Sequence, residues 1–192
     1  SFKGSSVRFE IDASVVEKLR EISSTQGCTL YMTLLSAWAI LLYRHTGEED
    51  ILVGSPIANR NHQDIEGLIG FFVNTLAMRF DFKGNPTFAS FLMQVRKTAL
   101  DAFANQDLPF EKLVDSIQPE RDLSRNPLFQ VMFALQNAPA EEFGLSGLSI
   151  EVIETQRISA LFDLVLDMWE TENSLIGVLE FATDLWDQTT VE

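Results

Sequence analysis

The spacing of apolar positions changes several times along this chain, and each change predicts an element. Apolar and polar side chains alternate over 7–12 (VRFEID), the period of a strand with one buried face. Asp12 then stands where a helix cap is needed, ahead of Val15, Val16, Leu19 and Ile22 on one helical face, and Gly27 suits the helix end. From Leu30 to Tyr43 the chain is apolar apart from a few small polar residues such as Thr33 and Ser36. A membrane span needs roughly 20 such residues, so the run predicts a helix over 29–46, buried on all sides and stopped by Gly47. A short strand follows at 51–58, and Leu76, Met78 and Phe80 alternate in another. Asn85-Pro86 reads as a helix start, with Asn as cap and Pro first in the helix. Phe88, Phe91, Leu92, Val95, Ala99, Ala102 and Phe103 line one face of that helix as far as Ala104. A short helix begins at Pro109 and ends before Pro119. The period then falls to two, and strands are expected at 128–135, 149–153, 161–169 and 175–181. The stretch 138–147, rich in Ala, Glu, Gly and Pro, reads as a mobile loop. This order of elements predicts an α/β two-layer sandwich: a mixed β-sheet with helices mainly on one face.

Composition narrows the classes of function. With 192 residues and 46% apolar content the chain can bury one good core, and no linker or repeat divides it. Its 28 acidic and 14 basic residues give a net charge of −14, so nucleic acid and anionic membrane surfaces are not expected partners. The single cysteine, Cys28, excludes an internal disulfide framework and a Cys-based zinc site, and fits a cytoplasmic location. Ser1-Phe2-Lys3-Gly4 opens no signal-like apolar segment and reads as cut from a longer polypeptide. His45 and His62 have no Ser or Cys partner in a nucleophile motif, and a general base must come within about 3 Å of its proton. Asp163 and Asp167 share a strand face and read as a solvated or interface-facing edge more readily than as a ligand pair. Neither a phosphate-cradling glycine loop nor metal-ligand spacing occurs in the sequence, so no metal is expected.

Three blocks hold the candidate chemistry. In the first, 69–79 (IGFFVNTLAMR), Gly70 allows a tight turn, Phe71, Phe72 and Val73 supply apolar wall, and Asn74 and Thr75 offer hydrogen-bonding groups at a strand entrance. In the second, 105–111 (NQDLPFE), Asn105 and Gln106 follow a helix end and Asp107 is placed to cap the next turn. Leu108, Pro109 and Phe110 then dock the next helix, ahead of Glu111. In the third, 121–128 (RDLSRNPL), charge-assisted hydrogen bonds of Arg121, Asp122 and Arg125 fasten a loop that Asn126-Pro127 ends. Gln130, Gln136 and Asn137 lie on or beyond the following strand.

Together these blocks resemble the condensation domains of nonribosomal peptide synthetases, and 55–60 (SPIANR) with 66–68 (EGL) resemble the approach to the first block. Many relatives have His where this chain has Asn105, a departure that argues against titration at that position. The resemblance implies a chloramphenicol-acetyltransferase-like lobe, two of which form a V around a central tunnel in such domains. It also implies that the chain corresponds over 1–192 to the C-terminal lobe, because the His-His-x-x-x-Asp-Gly motif of the first half is absent. The reaction implied is amide formation, in which the amine of an acceptor aminoacyl thioester attacks a donor acyl thioester.

On that resemblance Asn74, Thr75, Gln130 and Gln136 are candidates for lining the tunnel or contacting phosphopantetheine. Gly70, Phe72, Asn105, Gln106, Asp107, Pro109, Phe110, Glu111, Arg121, Asp122, Arg125, Asn126 and Pro127 are expected to be structural, and no catalytic residue is expected in the chain. The implied partners are the N-terminal lobe, donor and acceptor peptidyl carrier proteins and an adjacent adenylation domain. No cofactor is expected to be covalently bound, since the carriers deliver the phosphopantetheine arms. Gly70-Phe71-Phe72-Val73 differs from the Gly-Asp-Phe-Thr of heterocyclising relatives, and 133–137 (FALQN) differs from the Asn-Tyr-Leu-Gly of epimerising ones. This half is expected to supply tunnel wall, carrier docking and substrate positioning, and to be inert alone. The alternatives are a noncatalytic module that binds carriers or a tailoring enzyme, and a self-sufficient acyltransferase using His45 or His62. A separated lobe is also expected to expose apolar surface and to tend to dimerise.

Overall fold

Among the described residues, one mixed sheet of six strands collects the alternating segments of the sequence, in the order β1-β6-β5-β4-β2-β3. The computed structural model describes residues 2–60, 64, 68–118, 125–136, 159–171 and 174–192. The strands are β1 Gly4–Asp12, β2 Asp50–Ile57, β3 Asn74–Asp81, β4 Val131–Gln136, β5 Leu164–Glu170 and β6 Ser174–Ala182. The helices are α1 Ala13–Thr25, α2 Leu30–Thr46, α3 Phe88–Ala104, α4 Phe110–Ile117 and α5 Gln188–Val191. Strands β2, β4 and β5 run parallel, while β1–β6, β5–β6 and β2–β3 pair antiparallel. The strand expected at 149–153 and the loop at 138–147 lie outside the described residues.

Alternation assigns the two faces of the sheet. Val53, Met78, Phe80, Phe133, Leu164, Leu166, Met168, Leu175 and Phe181 point into the core with Leu35, Trp38, Ala39, Phe91, Leu92, Val95 and Ala99 of α2 and α3. The helical layer therefore covers one face, as the order of elements predicts. Residues of the other parity, Thr75, Gly54, Gln136 and Asp167 among them, belong to the second face.

The β2–β4 junction is reinforced from both faces. Gly54 faces Met132 there, and next to it Ser55 Oγ donates to the Phe133 carbonyl at 3.0 Å. Tyr31 Oη of α2 donates in turn to Ser55 Oγ at 2.7 Å. On the second face the Phe129 ring lies over Gly54, so close that a Cβ there would come within 2.2 Å of it. Phe110 and Phe162 flank Phe129 at ring-centroid distances of 5.3 and 5.9 Å. The chain thus passes from α3, in the helical layer, round edge strand β3 to α4, which anchors on the second face through Phe110.

Local chemistry explains where helix ends agree with expectation and where they differ. Thr29 caps α2 by accepting from the Met32 N–H at 3.3 Å, and Gly47 ends it at φ 72. Burial of α2 is less complete than the apolar run suggests: Ala37 and Leu41 form a solvent-facing stripe, Leu41 being 46% exposed. Asp12 occupies the cap position of α1 but makes no side-chain cap bond. Helix α3 starts later than Asn85-Pro86 predicts. Asn85, at φ 49, closes the turn after β3 by donating its N–H to the Phe82 carbonyl, and Thr87 is the cap, accepting from the Ser90 N–H at 3.3 Å.

Candidate functional site

The first and second sequence blocks meet at the end of the sheet where β2 finishes and β3 begins, and they enclose a cleft of about 270 Å³. Phe71, Val73, Asn74 and Thr75 form one side of it, and Asp107, Pro109, Phe110 and Glu111 the other. Phe71 is 92% exposed, so this apolar wall stands open to whatever approaches the cleft. Phe72 plays a different part: its ring folds back to Gly70 and carries the Arg60 guanidinium 4.4 Å above it. Glu111, in the first turn of α4, puts a carboxylate where the helix dipole favours one.

Asn74 joins the two walls. Its Nδ2 donates to the carbonyls of Gln106 and Leu108, each at 2.8 Å. Its Oδ1 accepts from the Thr75 N–H at 2.9 Å and from the Phe110 N–H at 3.0 Å. The cap position of α4 is Pro109, which has no capping side chain, and the Phe110 N–H donates to the Asn74 oxygen. Asn105 follows α3 as its C-cap and donates from its Nδ2 to the Asp101 carbonyl at 2.9 Å. Asn59, at φ 52, also lines the cleft. Sequence reasoning passed over it, although an Asn between an apolar strand and a polar loop suits a left-handed backbone.

The remaining candidates do not converge on this cleft. Gln136 ends β4 at the same end of the sheet, about 12 Å from Thr75 by two strand spacings and two residues along the strand. Gln130 lies roughly 20 Å away along the strand direction, in a second cavity of about 440 Å³ with Arg125, Asn126, Asp163, Leu161 and Leu185. There Asn126 Nδ2 donates to the Leu161 carbonyl at 2.9 Å, and the Gln130 carbonyl accepts from the Asp163 N–H at 2.9 Å. The described part of the third block thus ties β4 to the loop before β5. Burial pushes the Asp163 carboxyl above its usual range, and Arg125 opposes the shift. Pro127 is exposed at the loop end.

Arg121, Asp122, His62 and Asn137 lie outside the described residues. His45 stands exposed in the last turn of α2, at the opposite end of the sheet from the cleft. Among the described residues no cluster of three or more His, Cys, Asp or Glu side chains is placed to hold a metal. No single described helix is long and apolar enough to cross a membrane.

The mixed sheet, the helical layer on one face and the block residues gathered at a strand end define an α/β lobe of the chloramphenicol-acetyltransferase type. The condensation-domain family model matches residues 1–192, and the chain belongs to that family. A linear gramicidin synthase polypeptide of Brevibacillus parabrevis is 50% identical over 194 residues, covering 100% of this chain and 2% of the synthase. Malpinin synthetase of Mortierella alpina is 46% identical over 192 residues, again covering 100% of the chain and 2% of the relative. Among solved structures, the X-domain from teicoplanin biosynthesis superposes with a TM-score of 0.90 at 26% identity, over 98% of this chain and 44% of the other. A four-domain nonribosomal peptide synthetase bound to AMP and glycine gives 0.86 at 27% identity, over 98% of this chain and 15% of the other. The chain therefore spans a small part of the synthetases and less than half of the X-domain it matches.

Proposed function

We propose that the chain is the C-terminal half of a peptide-bond-forming condensation domain in nonribosomal peptide synthesis. The observation that carries this reading is the cleft at the end of β2 and β3, which two separate sequence blocks line together. Its mixed lining suits a carrier-borne acyl chain: apolar wall from Phe71 and Val73, polar groups from Thr75, Asp107 and Glu111. The acceptor amine attacks the donor thioester carbonyl, the C–S bond breaks, and the thiol stays on the donor's phosphopantetheine arm. This half positions both reactants and offers docking surface to the carriers; the proton-handling histidine motif belongs to the other lobe. Holding two reactants in place accounts for up to roughly 7–11 kcal/mol of a barrier. It does not replace the proton-handling group, so the chain alone is inert in this account. The partners are the N-terminal lobe, both peptidyl carriers and a neighbouring adenylation domain, in a cytoplasmic enzyme.

A transplant tests this function. The matching segment of a condensation domain from the linear gramicidin synthase polypeptide, 50% identical, is replaced by this chain. Dipeptidyl carrier protein is then followed by intact mass. The expected result is a chimera that forms dipeptide within about tenfold of the parent rate. A folded chimera that binds both loaded carriers and forms none would support a noncatalytic, carrier-binding module instead.

A further inference from the structure

An asparagine side chain has two N–H donors and an oxygen with two lone pairs. In Asn74 all four are spent inside the protein, on the carbonyls of Gln106 and Leu108 and the N–H groups of Thr75 and Phe110. Three of these partners lie 32, 34 and 36 residues further along the chain, in the second block, whose Asp107, Pro109, Phe110 and Glu111 line the cleft. All are backbone groups, two of them in the 105–109 turn region and one opening α4, whose own cap residue Pro109 supplies no side-chain bond. The second block is therefore fixed to β3 by one side chain acting on backbone, whatever its own side chains are.

Resting on the reading of the function above, we infer that Asn74 is a positioning residue for peptide-bond formation. It sets the distance between the Phe71–Val73 wall and the Asp107–Glu111 wall without touching substrate. To contact a substrate or phosphopantetheine amide, Asn74 would have to surrender one of its four internal bonds. Thr75 is the neighbouring cleft residue whose side chain lies on the second face of the sheet. Asn74 frames the site that Thr75 lines.

The test uses the complete condensation domain, both lobes present, with Asn74→Ala and Asn74→Asp variants. Amide hydrogen exchange is read over 105–111, and peptide formation is read with carrier-bound donors and with short thioesters lacking the pantetheine arm. For Asn74→Ala the account predicts at least tenfold faster exchange of the Phe110 N–H, with β4, β5 and β6 unchanged. Its kcat falls at least tenfold for both donor types, with KM within about threefold. Asn74→Asp keeps both accepted bonds but sets a carboxylate oxygen against the Gln106 and Leu108 carbonyls, so Phe110 stays protected while exchange over the 105–109 turn rises and kcat stays low. Unchanged exchange over 105–111, with KM raised only for donors bearing the pantetheine arm, would overturn the inference in favour of direct contact. Should Asn74→Ala fail to fold, Asn74→Asp carries the same decision through exchange of the 105–109 turn and the KM comparison. A wild-type domain that forms no peptide would sink the functional reading instead, and with it the link from the Asn74 bonds to catalysis.

Discussion

At the scale of single residues, buried polar groups give this lobe its specific contacts. Tyr31 donates to Ser55, and Ser55 to the Phe133 carbonyl, linking α2 to the neighbouring parallel strands β2 and β4. Burial pushes the Tyr31 phenol up to about 12, and the Ser55 hydroxyl offsets part of that shift. An unfolded tyrosine loses its proton near 10. Between about pH 10 and 12 the unfolded chain is therefore deprotonated at this site while the folded one is not. The stability that Tyr31 contributes is fully present below pH 10 and falls by roughly 3 kcal/mol as pH rises through the folded value. Urea unfolding at stepped alkaline pH should show this loss in the wild type and a flatter curve in Tyr31→Phe. Parallel curves would show that the phenol titrates normally. Neither this chain of bonds nor that of Asn74 is legible in the sequence. The residue types are visible, but their partners are backbone carbonyls and N–H groups or distant hydroxyls, which leave no pattern.

At the scale of elements, most of the fold could be read because its signals are local. Thr29 and Gly47 bracket α2 by cap chemistry that operates within a few residues, and the alternation of Leu76, Met78 and Phe80 marks β3. The start of α3 departs from the sequence signal because Asn85 serves the preceding turn, a competing local use of the same residue type. Sheet order was not legible at all. That β1 lies beside β6 follows from pairing between the two ends of the chain, with Gly4 opposite Ala182. One close approach was equally hidden: Gly54 lies in β2 because the Phe129 ring occupies the space a Cβ would need. Phe129 is buried between Phe110 and Phe162, so it has little room to retreat. Gly54→Ala should destabilise the chain by about 2 kcal/mol through overpacking. Combined with Phe129→Leu, the cost should be clearly less than the sum of the two single changes. Additive costs in chemical denaturation would mean that the ring does not set the Gly54 requirement.

At the scale of the whole molecule, the described residues combine a tightly enclosed core with large apolar side chains at the surface. Val53, Phe80, Phe91 and Phe133 are fully enclosed, whereas Ile69 is wholly exposed and Phe2 and Leu161 are each 70% exposed. Phe71 beside one cavity and Phe2 and Leu161 beside the other are exposed, and the proposed function assigns this apolar surface to contact with a second lobe. The candidate site was partly legible for the same reason. Asn74, Thr75 and the second block do share a cleft, while Gln136 ends β4 at the same end of the sheet two strands away and Gln130 lies in the other cavity. Block order along the chain does not tell which end of a strand each block reaches or which strands are neighbours. The central claim is that this lobe positions reactants and that its companion handles the proton. The direct test supplies loaded donor and acceptor carriers to the chain alone, to the separately made N-terminal lobe alone, and to the two mixed, and weighs the acceptor carrier by intact mass. The account predicts dipeptidyl carrier only in the mixture. Dipeptide from this chain alone, or none from two folded lobes that bind each other, would contradict it.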